Sequence, residues 1–144
     1  TKPLTLVLSP ERTPDAMKRA LFAGKTVAWI NDDLIGRSEN VEQVVGACLK
    51  LEPKGYQPKS SVLDVDLVNS CPLAFTLENT GVRTFHNVSD VVRVERYAKT
   101  RLQVRMNDER AKLQLDLVVL NTQVRPREHL RTTLVAEVGT LARP

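Results

Sequence analysis

Between about residues 49 and 143 the chain alternates apolar and polar residues two by two, and that period constrains the fold more than anything else in it. Leu63, Val65 and Leu67 alternate with Asp64 and Asp66; Leu73, Phe75 and Leu77 with Ala74 and Thr76; Leu102, Val104 and Met106 with Gln103 and Arg105; Leu113, Leu115 and Leu117 with Gln114 and Asp116. Successive side chains of a strand point to opposite faces, so each run has one face for a core and one for water. Between the runs lie turn-forming clusters, Asn69-Ser-Cys-Pro72, Glu78-Asn-Thr-Gly81, Met106-Asn-Asp-Glu109 and Arg125-Pro-Arg127. With Ala47 to Glu52 and Thr132 to Val138 added, about seven strands result, the number of an immunoglobulin-like antiparallel β-sandwich. The expected core is Leu63, Val65, Leu67, Phe75, Leu77, Leu102, Val104, Leu113, Leu115, Leu117, Val119, Leu134 and Val138. Asp108-Glu109 is expected to turn a hairpin between residues 103–106 and 112–117.

The first 48 residues are written differently. A short apolar strand, Leu4 to Leu8, precedes a helix that Thr13 can cap, that Pro14 can open without losing a hydrogen bond, and that Gly24 can stop in the left-handed conformation. Met17, Ala20, Leu21 and Gly24 share one helical stripe and are expected to face inward. The run from Lys25 through Trp29 reads as a second strand. A second helix is expected from Ser38, a possible cap, with Glu39 and Glu42 in its first turn and Val41, Val44, Val45 and Cys48 on one stripe, linking the two parts. The expected domains are therefore residues 1–48, a short β-α-β and helical segment that reads as the tail of a larger domain, and residues 49–144, the β-sandwich. The few apolar groups of residues 1–37 cannot bury both the strand and the helix, so a further partner is expected to cover them.

The string Thr5-Leu-Val-Leu8, Glu11-Arg12, Ala16-Met-Lys-Arg-Ala-Leu21, Ala23-Gly-Lys-Thr-Val-Ala-Trp29 and Asn31-Asp-Asp-Leu-Ile-Gly-Arg37 resembles the closing segment of bacterial PHP-domain (polymerase and histidinol phosphatase) phosphoesterases. The likeness is to a secreted, phosphodiesterase-like subgroup in which a metal-binding barrel is followed by a β-rich domain. It covers residues 3 to 48 well and the remainder only as a generic all-β extension. The resemblance implies that residues 1–48 are the tail of a PHP-like barrel, and that the setting is periplasmic or secreted. In such enzymes the metals are held by His, Asp and Glu clusters earlier in the barrel. None of those motifs has a matching position here, so no functional residue is carried over.

No stretch of about 18 apolar residues, as a membrane helix needs, occurs in these 144 residues, and no charged-then-apolar leader does either. Since the chain reads as starting inside a domain, this leaves the location of the parent open. The net charge of +4 invites nucleic-acid binding, yet the basic residues are spread along the β region and interleaved with Asp and Glu. Aromatics make up 4% of the chain, too few for the stacking platforms of single-strand binders. An ordinary solvated basic surface is the expectation.

No catalytic, cofactor-binding or metal site is expected. His86 and His129 are the two histidines, neither with a Cys or His at metal-ligand spacing, and both read as surface or hydrogen-bonded loop residues. Asp32-Asp33 reads as a turn after a strand, and Asp64 with Asp66 as the wet face of another, rather than as carboxylate pairs for metal or acid–base work. Ser9, Ser60 and Ser61 lack the strand-to-helix elbow of a nucleophile. Cys48 and Cys71 either pair, if the strand near Ala47 runs beside the turn at residues 69–72, or remain two buried thiols.

Two functions follow. One is a non-catalytic C-terminal accessory region of a PHP-type metal-dependent phosphoesterase, packing against the catalytic barrel of the same parent or a second copy of the chain. The other is a stand-alone β-sandwich module for binding carbohydrate or protein. Sugar-binding sandwiches display several aromatics, and the supply here of Trp29, Tyr56, Tyr97, Phe22, Phe75 and Phe85 favours the first.

Overall fold

The structure, a computed structural model, describes residues 3–106 and 112–138. Its N-terminal segment runs β1 (Leu4–Val7), α1 (Pro14–Phe22), β2 (Thr26–Ile30), β3 (Asp33–Ile35) and α2 (Ser38–Cys48). Thr13 accepts a hydrogen bond from the Ala16 N–H at 3.2 Å, and Gly24 ends the helix at φ +72°, where a β-carbon would be strained. The buried face of α1 differs from the expected stripe. Ala16 and Ala20 face inward, while Met17 and Leu21 stay exposed, because the two alanines at i, i+4 let the helix lie close to its neighbours. In α2 the cap position is taken by Arg37, whose side chain makes no capping bond, and Ser38 is the first helical residue. The stripe itself is as expected: Val41, Val44, Val45 and Cys48 are buried.

α2 runs straight into β4 (Leu49–Tyr56), so Ala47 and Cys48 end the helix rather than begin the strand. β4 pairs antiparallel with β5 (Val62–Asn69), with a bulge between Pro53 and Gly55. Proline has no N–H for the ladder, and Gly55 takes φ +143°. Next come β6 (Phe75–Asn79), β7 (Val91–Val94), β8 (Lys99–Arg105), β9 (Lys112–Val119), β10 (Thr122–Gln123) and β11 (Leu130–Glu137). Two sheets of the order β4-β5-β8 and β11-β9-β6-β7 make the sandwich. Each of the thirteen residues expected in the core is buried. Among them Phe75, Leu63 and Leu113 are wholly withdrawn from water, each worth about 1.5–3 kcal/mol.

The expected hairpin across Asp108-Glu109 does not form. β8 pairs with β5 in one sheet, and β9 lies between β11 and β6 in the other, so the connection crosses between sheets; the turn itself lies outside the described residues. Alternation specifies which face of a strand is buried, and both strands do bury the expected face, but it does not specify the neighbour.

A third sheet, β1-β2-β3-β10, joins the segment to the sandwich. β1, β2 and β3 are antiparallel neighbours, and β10, which follows β9 across a tight turn, lies parallel to β3. Val27, Leu34, Val41 and Val45 belong to the same apolar cluster as Leu63, Phe75 and Leu115, with Leu6, Leu8 and Trp29 packed against it.

Candidate functional site

The histidines, Asp32 and the serines singled out in the sequence are not brought together. His86 Nδ1 lies 3.2 Å from the Arg105 guanidinium, and His129 Nδ1 lies 2.8 Å from the Thr122 carbonyl. Asp32 sits in the β2–β3 turn and meets Arg93 at 3.7 Å. Ser9 donates to the Glu11 carbonyl at 2.6 Å, and Ser60 accepts from the Val62 N–H at 3.0 Å, both turn contacts. Among the described residues, no group of three or more His, Cys, Asp or Glu side chains could hold a metal ion. Likewise, no helix among them is long and apolar enough to cross a membrane.

Cys48 and Cys71 form a disulfide, with Cα atoms 5.2 Å apart. It ties the end of α2 to the β5–β6 turn, which Asn69 shapes. The Asn69 amide donates to the Leu73 and Glu95 carbonyls at 2.7 and 3.0 Å, and its oxygen accepts from the Cys71 N–H at 3.0 Å.

Asp66 departs from the sequence reading. It stands on the outer face of β5, where a solvated carboxylate is expected, yet its side chain is only 3% exposed. Long cationic side chains from the flanking strands cover it. Arg101 of β8 donates through Nε at 2.6 Å, and the Lys99 and Lys54 ammonium groups lie 3.7 and 3.9 Å away. Arg101 also reaches Asp64 at 3.5 Å, and Gln57 donates to Asp64 at 3.3 Å. The Arg101 hydrogen bond holds the Asp66 carboxyl below the usual carboxylate value of 3.8 against the opposing effect of burial, with the charges of Arg101, Lys99 and Lys54 adding to it. The cluster has the form of an ion-pair network that closes the outside of the sheet, its positive charge already directed at protein carboxylates.

Asn121 fastens the N-terminal segment to the sandwich, and Asn40 braces the segment internally. Asn121, between β9 and β10, donates to the carbonyls of Asp32 at 2.6 Å and Ala74 at 2.8 Å and accepts from the Thr76 N–H at 3.0 Å. Asn40, buried on α2, donates to the Gly24 carbonyl at 2.9 Å. The backbone adds Leu34 N–H to the Asn121 carbonyl at 3.0 Å and Gly36 N–H to the Gln123 carbonyl at 3.1 Å. Neither asparagine carries a signal in the sequence, because its partners come from distant carbonyls.

One side of the segment is thus fixed to the sandwich, and another is open. Phe22 is 83% exposed, Leu21 53%, Leu4 53% and Met17 44%. On the Ala16–Ala20 side of α1, between it and the chain after β1, lies a shallow groove of about 200 Å³ whose lining includes Leu8, Pro10, Ala16 and Ala20, with Arg19 and Lys25. Arg12, Lys18, Arg19 and Lys25 make no ion pair with a described residue. In contrast, the exposed apolar residues of the sandwich, Val82, Val91, Tyr97 and Val135, come from the β6–β7 loop, β7, the β7–β8 turn and β11.

Comparison with known proteins places this architecture. Residues 49–135 match the model of the family DUF5001, described as an Ig-like domain. A crystal structure of a two-domain protein from Bacteroides vulgatus, containing a predicted PHP-like metal-dependent phosphoesterase, superposes with a TM-score of 0.75 at 16% identity. The match covers 94% of this chain and 39% of that one, so the chain spans well under half of that protein's length. No curated protein matches the chain.

Proposed function

The chain belongs to the Ig-like domain family DUF5001, and we propose that it is the non-catalytic C-terminal accessory region of a PHP-type metal-dependent phosphoesterase, flanking a catalytic barrel encoded in the same polypeptide. The observation that carries this reading is the extent of the structural likeness. It includes the N-terminal segment as well as the sandwich, and it ends within a two-domain protein whose larger part lies outside the match. The division into a barrel tail, residues 1–48, and a sandwich, residues 49–144, belongs to the same proposal. So does the absence of catalysis by this chain, which is supported by the scatter of its His, Asp and Ser side chains. The disulfide suits an oxidising, exported setting.

The test is to extend the reading frame upstream of Thr1, to express the parent and this chain separately, and to assay both on a chromogenic phosphate ester with and without a chelator. Activity in the parent, abolished by chelation, with none in the chain, is the expected result. Chelator-sensitive hydrolysis by the chain alone would overturn the non-catalytic assignment. An upstream frame without a barrel would instead favour the stand-alone binding module.

A further inference from the structure

We propose that the open side of the N-terminal segment, the exposed Met17, Leu21 and Phe22 of α1 together with the neighbouring groove between α1 and residues 8–10, is the seat on which the catalytic domain of the same polypeptide rests; this rests on the reading above and adds the surface. The face is apolar where water reaches it. Met17 and Leu21 are one helical turn apart and therefore adjacent, and Phe22, about 100° further round the helix, is the most exposed aromatic side chain described. A helix normally turns such residues inward, and here the inward positions are held by Ala16 and Ala20. Large apolar residues gathered on one surface mark a contact site, whereas scattered ones are ordinary.

Three observations favour a covalently attached domain over a free ligand or a second copy. The surface lies in the segment that precedes the sandwich, and the structurally similar two-domain protein has most of its length outside the match. The segment is locked to the sandwich through Asn121 and the β3–β10 pairing, so a domain seated on α1 would be held at a fixed angle and not on a swinging tether. The surface is also cationic at its border: Arg12, Lys18, Arg19 and Lys25 stand unpaired among the described residues, against Glu11 and Asp15. Two copies meeting through it would oppose like charges, whereas a domain with an acidic rim would satisfy them.

Hydrogen exchange on the parent protein and on this chain tests the inference. Amides of residues 4–8 and 14–22 are expected to exchange about tenfold or more slowly in the parent, and the double substitution Met17→Asp, Phe22→Asp is expected to abolish that protection. The same double variant of the 144-residue chain is expected to keep its thermal midpoint, since both side chains are exposed, which separates lost docking from lost folding. If the parent has its barrel but protection falls elsewhere, for example over the Asp66 face, the seat is wrong and the accessory reading stands. Self-association of the 144-residue chain with protection at residues 14–22 would replace the barrel by a second copy and overturn the inference. A parent with no barrel would bring down the accessory reading and this inference with it.

Discussion

Replacing Asp66 by Asn should show that the carboxylate is held by charge and not by shape. Asn keeps the volume but removes the negative charge, leaving Arg101, Lys99 and Lys54 facing a neutral amide on a nearly closed surface. The 2.6 Å bond from Arg101 is the strongest contact; a hydrogen bond to a charged group contributes about 1.5–3 kcal/mol. The two lysines are about half and two-thirds exposed, and such pairs are worth about 0–1 kcal/mol each. A loss of roughly 2–3 kcal/mol at neutral pH follows for Asp66→Asn, and under 1 kcal/mol for Lys99→Ala. The pH dependence gives the sharper check. Because the folded protein holds this carboxyl below its ordinary value of 3.8, its contribution is complete above that value and disappears as pH falls through the lower, folded one. Urea unfolding of wild type and variant at pH 7 should therefore differ clearly, and the gap should close as pH falls below 3.8, through the lowered folded value. A gap of equal size at both pH values would mean that the side chain acts by packing. No gap at either would mean that the ion-pair network contributes nothing, and the argument from its geometry would fail.

In the sandwich, Leu115→Ala should cost about 2–5 kcal/mol while Gln114→Ala stays within about 0.5 kcal/mol, since Leu115 is buried opposite Leu134 and Gln114 is exposed; equal urea midpoints would refute the register of β9. Reduction of Cys48–Cys71, which are 23 residues apart, should lower stability by about 3 kcal/mol from loop entropy, read as a fall in thermal midpoint with a thiol reductant. An unchanged midpoint after confirmed reduction would count against the staple. Asn121→Ala strips partners from two carbonyls and one N–H at the seam, a cost of about 1–3 kcal/mol. Hydrogen exchange should quicken around β3 and the start of β6 first, and uniform quickening would argue against a local clasp.

The sandwich core was legible in the sequence because its signal is local. Each run of alternating residues names its own buried face, and from Leu63 to Val138 that reading agrees with the structure. Pairing was not legible in the same way, and residues 103–117 show why. Two alternating runs separated by turn formers fit a hairpin and a crossing between sheets equally well, and only the rest of the chain decides. Asp66 has the same limitation in another form. Its position on the polar face follows from the alternation, but its burial depends on Arg101, Lys99 and Lys54 folding over it from two other strands. Strand periodicity fixes which side of the sheet a residue occupies and says nothing of what long side chains later cover it. Asn121, which clasps the seam, has no local pattern at all.

The helix α1 carries the argument from sequence to function furthest, and through a disagreement. Its caps are readable, and the i, i+3, i+4, i+7 spacing points Met17, Ala20, Leu21 and Gly24 to one buried face. The structure turns Ala20 inward as expected, pairs it with Ala16, and leaves Met17 and Leu21 in water. A surface of that composition costs solubility unless something covers it. Elsewhere the fold is well closed: the sandwich buries its expected core, the disulfide and Asn69 shape the β5–β6 turn, and Asp66 has its cations. Among the described residues, α1 exposes Met17, Leu21 and Phe22 within residues 17–22, whereas Val82, Val91, Tyr97 and Val135 of the sandwich are exposed singly along the sequence. If the barrel is the missing cover, Met17, Leu21 and Phe22 are core residues of the parent protein that only look like surface here, and substituting them should disturb the parent while leaving the 144-residue chain as stable as before.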